Sequence, residues 1–322
     1  MKRAQKAEAE YERTQALTES LGLFKEAADY LTDEKLTEIC NEYNRQRYHI
    51  GSVELPLERA KKLDPQQQGL AYMEAKYPPG DPRQSLYQHR IDCYMIVFDS
   101  LAAVKQLSES SGQSEAKMYA AQVFSAAVSH KDKLFHFALY RWFLDKNMKS
   151  DLLSVDTPYL IPYFKEYVNE VDGMDFLWQY YRRREQYYEA ALYLEALACR
   201  PNEITLSKRV ELLALAVVNA RCRDPKQQRL QQSTQLLQNL EHKVSVARIQ
   251  LRLQQALQSR GPEGQEGARR LEGELLDITE LFNRYARHYG ILDEILFIMK
   301  VTEYHDIPYL KEVWRAILVQ SK

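Results

Sequence analysis

Residues 129–147 read SHKDKLFHFALYRWFLDKN, and the fold class turns on how they are read. Two histidines and an Arg beside a Trp suggest a chemical site. The run of aromatics suggests a packing helix instead. Asp132 is a candidate N-cap, and Phe135, Ala138, Leu139 and Trp142 follow at offsets of 3, 4 and 7, which is one apolar helix face. Leu134 and Phe143 widen that face. His130 and His136 lie six residues apart, about 120° around a helix, whereas a metal pair on one helix wants histidines at i and i+4. His136 and Arg141 are expected off the apolar face, toward solvent or a polar edge. The stretch therefore predicts a stacking helix with Phe135, Leu139 and Trp142 in the core.

The same period extends in both directions. Thr32 precedes a helix with Leu36, Ile39, Cys40 and Tyr43 on one side, and no run alternates strictly between turn signals. Asp64-Pro65, Asp224-Pro225 and Thr157-Pro158 each read as an N-cap followed by Pro at the first helical position. In the third case Pro162 would bend the helix. Pro82 opens a long helix to about residue 109, whose centre IDCYMIVFDSLAAV is apolar nearly all round and is expected between neighbours. From residue 225 to 260 Leu230, Leu237, Val244 and Leu251 recur every seven residues, with Leu240 and Ala247 between, suggesting a seam. SESSGQSE (108–115) and SRGPEGQEG (259–267) are expected to be flexible loops. The prediction is an all-α fold, an irregular α-helical solenoid of stacked antiparallel helices, with residues 1–322 forming a single segment.

Composition excludes several classes. The chain has 44 Lys plus Arg against 45 Asp plus Glu, a net charge of −1, without the basic excess of a nucleic-acid binder. Its 11 glycines are about half the usual share of about 7%, which disfavours Gly-rich βα loops. Cys40, Cys93, Cys199 and Cys222 form no CxxC pair and are expected as buried thiols. No apolar run approaches the roughly 20 residues of a membrane span. The amino terminus enters an apparent helix abruptly, as expected of a fragment of a longer protein.

Candidate chemistry is sparse. There is no GxSxG, Walker, GxGxxG or HExxH motif. Glu272–Glu274 and Asp293–Glu294 offer paired carboxylates, which on helix faces are usually solvated. No catalytic, metal or cofactor site is expected, and no enzyme. Arg182, Arg183 and Arg184 follow FLWQYY. They read first as a helix end whose cations complement the dipole, then as a contact for an acidic partner protein, and last as a run that contacts phosphates or stacks on bases of a nucleic acid. The 22 tyrosines suit half-buried positions in a thin two-layer stack or a partner groove.

Several segments occur in a telling order: FKEAADYLTDEKL, GSVELPLERAKKLDP, DKLFHFALYRWFLDKN, DTPYLIPYF, MDFLWQYYRRREQYYEAALYLEALA, EITLSKRVELLALAVVNAR, KVSVARIQLRLQQAL and ELLDITELFNRYA. From about Leu23 to Gln320 this series resembles the carboxy-terminal α-solenoid region of the large inner-ring scaffold nucleoporins of the nuclear pore complex, the 155/170-kilodalton non-FG family. The resemblance implies a structural scaffold at the nuclear envelope that supports nucleocytoplasmic transport. Its implied partners are peptide segments of linker nucleoporins laid across grooves between helices. Small-molecule substrate, direct nucleic-acid contact and membrane contact are not expected of this segment. A helical subunit of a vesicle coat or tethering complex is the alternative with the same architecture.

Overall fold

The computed structural model describes residues 2–111, 114–201, 203–222, 230–304 and 306–320. Among the described residues every regular element is helical, and the all-α, stacked-helix expectation holds. The chain divides into two compact units, Met1–Tyr163 and Phe164–Lys322.

The first unit begins with α1 (Lys2–Glu26), a 3₁₀ turn (Ala28–Tyr30), α2 (Asp33–Arg45), α3 (His49–Leu63) and α4 (Gln68–Glu74). It continues through α5 (Arg83–Ser111), α6 (Ser114–Val128), α7 (Lys133–Asp145) and α8 (Lys149–Leu152) into the start of α9 (Leu160–Glu166). α5 touches α2, α3, α4, α6 and α7, yet its centre is not covered all round as expected: Asp92, Met95 and Asp99 form an exposed stripe. Tyr94, Val97, Phe98 and Leu101 are buried there. α7 lies against it: Phe135 and Leu139 are fully buried, and Trp142, 9% exposed, stacks on Phe98 with ring centroids 5.6 Å apart.

A buried ionic group fixes two helix starts. Asp64 accepts the backbone N–H groups of Gln68 and Gly69 at 2.7 and 2.8 Å, capping α4. Asp132 accepts that of Phe135 at 3.2 Å, capping α7. Arg90 of α5 pairs with both carboxylates, at 3.0 Å to Asp64 and 2.5 Å to Asp132. Its Nε donates to the Tyr94 hydroxyl at 2.9 Å, which donates to Asp132 at 2.5 Å. Every charge in this dry site has a partner, the condition for tolerating buried ions.

The second unit comprises α10 (Glu170–Arg183), α11 (Tyr187–Ala198), α12 (Leu206–Arg221), α13 (Leu230–Gln258) and α14 (Gly261–Gly273). A short α15 (Ile278–Glu280) runs on as a π-helix (Leu281–Arg287), followed by α16 (Leu292–Val301) and α17 (Ile307–Gln320). α13 serves two cores. Leu240, Val244 and Ala247 join Leu194, Leu213 and Ala216, whereas Ile249, Leu253 and Leu257 join Leu271, Leu281 and Ile298. The expected seven-residue seam is thus buried at Leu240, Val244 and Ala247 but only partly at Leu237 and Leu251, because the helix changes neighbours along its length. The buried guanidinium of Arg209 donates to the carbonyls of Ala198 and Gly273 at 3.0 and 2.8 Å, satisfying the ends of α11 and α14.

Consecutive helices share a turn. Arg47, Lys76, Asn147, Glu185 and Glu303 are left-handed, as is Gly290. Each donates its N–H three residues back, and the following residue donates five back: Tyr48 to Tyr43, Tyr77 to Tyr72, Met148 to Phe143, Gln186 to Tyr181, Tyr304 to Met299 and Ile291 to Ala286. This is the Schellman arrangement. Its apolar contact is visible as edge-on ring pairs Tyr43–Tyr48 and Tyr72–Tyr77, at 5.5 and 5.6 Å.

Several expectations are corrected. Residues 261–267 are helical, not a loop. The glycines there serve close packing: a Cβ on Gly267 would meet the Tyr289 hydroxyl at 2.8 Å, and one on Gly264 the Leu257 carbonyl at 2.7 Å. Within 108–115, α5 runs to Ser111 and α6 starts at Ser114; Gly112 and Gln113 lie outside the described residues. Asp64 caps α4 from four residues upstream, so Pro65 is not its first residue. α9 starts at Leu160, which puts Pro162 in its first turn, where a missing N–H costs nothing. Cys40 and Cys93 are buried, but Cys199 and Cys222 are exposed. Asp224-Pro225 lies outside the described residues.

Candidate partner-binding surfaces

The opening stretch holds no open chemical site. His136 is buried, contrary to its expected place at a polar edge, because α7 is covered on that side as well. Its Nε2 lies 2.6 Å from the His130 carbonyl, so Nε2 carries the proton, and its Nδ1 faces the Tyr140 hydroxyl at 3.2 Å. The Tyr159 ring covers it, with centroids 5.0 Å apart. Burial holds both His130 and His136 below the ordinary histidine pKa, which favours neutral rings.

The carboxylate pairs serve structure. Glu272 accepts the Leu206 N–H at 2.9 Å. Glu294 is buried beside Arg252 at 2.7 Å, and burial raises its pKa. Among the described residues no group of three or more His, Cys, Asp or Glu is placed to hold a metal ion. Nor is any helix among them long and apolar enough to cross a membrane.

The arginine run closes α10. Arg182 and Arg183 occupy its last turn and are exposed. Arg184 is the C-cap, with its guanidinium 3.6 Å from the Tyr180 ring centroid. Beside it Tyr181 and Tyr193 stack at 5.5 Å. Aromatic faces and cations therefore share one helix end.

A concavity lies elsewhere in the second unit. It is a cleft of about 560 Å³, within the usual range of about 300–1,000 Å³ for ligand sites. α15 and the π-helix supply one wall through Ile278, Phe282 and Arg287; Ile298 and Met299 form the floor; Tyr304 and Tyr309 stand opposite. The π-helix matters because its wider turn re-aims side chains, and such segments recur at functional sites. Phe282 and Tyr309 meet edge-on at 6.3 Å. Tyr304 reaches the rim as the residue after left-handed Glu303, held by its bond to Met299. Asp306 caps α17 through the Tyr309 N–H at 3.1 Å. His305 lies outside the described residues.

None of these cleft residues stands out in the sequence as a site. Phe282, Met299 and Tyr309 belong to separate helices, and only the tertiary fold brings them together. The pair of apolar side chains at i and i+5 that brackets the turn, Met299 and Tyr304, is the local signal that could have placed Tyr304.

Comparison with known proteins gives a consistent picture. A family model described as non-repetitive/WGA-negative nucleoporin C-terminal matches residues 1–322. A probable nucleoporin of Schizosaccharomyces pombe is 30% identical over 313 residues, 95% of this chain and 23% of the relative. The nucleoporin NUP170 of Saccharomyces cerevisiae is 28% identical, over 92% of this chain and 21% of the relative. The chain thus spans under a quarter of the length of these relatives. Among solved structures, the Chaetomium thermophilum Nup170 CTD–Nup145N complex superposes with a TM-score of 0.87 at 26% identity, covering 98% of this chain and 65% of that one.

Proposed function

Because the chain belongs to the family of non-repetitive nucleoporin carboxy-terminal regions, we propose that it is a scaffold segment of the nuclear pore complex inner ring. It stands at the nuclear envelope and holds segments of linker nucleoporins. The observation that carries this reading is the superposition over nearly the whole chain on a relative crystallised with another nucleoporin. The work asked of the chain is mechanical and adhesive, as suits an all-helical stack with few titratable clusters. It needs no cofactor and no turnover. Arg182, Arg183 and Arg184, exposed or half-exposed beside the Tyr180 and Tyr181 rings, supply a contact for an acidic stretch of a partner, where cations and aromatics are enriched.

A pulldown of the purified chain with recombinant linker nucleoporins tests the reading. Retention of at least one linker is expected. Firm binding to vesicle-coat subunits with no linker retained overturns it. Arg182→Glu with Arg184→Glu is expected to weaken retention of an acidic linker; unchanged retention leaves the arginines as a helix end alone.

A further inference from the structure

We infer that the cleft between the π-helix and the start of α17 seats a short linear peptide with an apolar anchor and an acidic residue beside it. The inference deepens the proposed function and rests on it, since it assigns the groove and the chemistry of the held segment. Three observations converge on that occupant.

The first is the lining. Phe282 and Tyr309 are half-buried and Met299 lies beneath them, so a bulky side chain finds apolar walls and a deformable thioether floor. The second is charge. Arg287 is exposed and makes no ion pair among the described residues. The carboxylate across the cleft, Asp306, is already engaged at the start of α17, where the helix dipole offsets its charge. Arg287 is therefore the group on this rim that an acidic side chain of a bound segment can pair with. The third is extent. A second depression of about 400 Å³ adjoins the first across Tyr304 and Asp306 and continues along Ile307 and Pro308. Tyr304 and Ile307 are 56% and 61% exposed. Two adjoining depressions suit an extended segment with two anchors, the geometry of groove-bound linear motifs.

The experiment measures fluorescence anisotropy of labelled overlapping peptides that tile the linker nucleoporins, against the whole chain and three variants. Arg287→Glu reverses the rim charge, Arg287→Lys retains it, and Thr279→Trp fills the cleft from an exposed position. Each variant is first checked for an unchanged melting curve. The expected result is that bound peptides pair an aromatic or aliphatic residue with a nearby Asp or Glu. Arg287→Glu and Thr279→Trp are expected to weaken them by about tenfold or more, as loss of a complementary charge or of the anchor's space predicts, whereas Arg287→Lys keeps most of the affinity. Peptides that bind the chain yet ignore Arg287→Glu and Thr279→Trp overturn this assignment and leave the proposed function standing. Absence of binding by every peptide, together with failure of the pulldown, overturns both.

Discussion

Arg90 shows how one side chain can hold more structure than its position suggests. It bridges Asp64 and Asp132, and each carboxylate caps a different helix. Asp132→Ala leaves the Arg90 charge balanced by Asp64 but takes a partner from the guanidinium, the acceptor from Tyr94 and the cap from α7 at once. It is therefore expected to cost about 2–4 kcal/mol, more than the roughly 1 kcal/mol of an ordinary lost cap, as a lower urea midpoint will report. Trp142→Ala, deleting a buried ring stacked on Phe98, is expected to cost about 3–5 kcal/mol in the same measurement. The histidines add a pH dependence. Burial lowers the pKa of His49, His130 and His136, so the unfolded chain binds these protons more readily. Their contribution is complete above the unfolded value of about 6.5 and declines as pH falls through it toward the lower folded values. A urea midpoint that falls between about pH 7.5 and 5.5, and falls less in His136→Gln, is the expected result.

At the scale of elements the recurrent feature is the left-handed turn that ends α2, α4, α7, α10 and α16 on a residue other than glycine. A non-glycine residue there carries a strain of about 1–2 kcal/mol, part of which glycine relieves at an entropic cost of about 0.5–1 kcal/mol. Glu185→Gly, at an exposed position, is expected to raise the melting temperature slightly, whereas Gly290→Ala lowers it. These turns explain what the sequence conveys and what it hides. The caps at Thr32 and Asp132 are legible because a short polar acceptor stands directly before an apolar period. The turns are not, since Arg47, Lys76 and Glu185 look like ordinary surface residues without the customary glycine. Conversely, the glycines at 264 and 267 look like a loop, although their meaning lies in Tyr289 and Leu257, which sequence proximity does not connect to them. Apolar period exposes the helices. The cleft stays hidden because its walls come from three helices and its shape from a π-turn that no periodicity marks.

At the scale of the molecule the units differ in how their cores are joined. In the second unit α13 belongs to two clusters of side chains at once, so damage in one is expected to loosen the other. Leu240→Ala, costing about 2–5 kcal/mol, should speed hydrogen exchange in α16 as well as in α11 and α12; acceleration confined to α11 and α12 would show independent cores. The first unit has an order built into it by the network around Arg90. Asp64 precedes that arginine in the chain and Asp132 follows it. During synthesis, therefore, α3, α4 and most of α5 leave the ribosome while one arm of the guanidinium still lacks its carboxylate, and Tyr94 its acceptor. Asp64 already balances the cation, so what waits for α7 is the last acceptor: the hydrogen-bond network that ties α4, α5 and α7 together is complete only when residue 132 is in place.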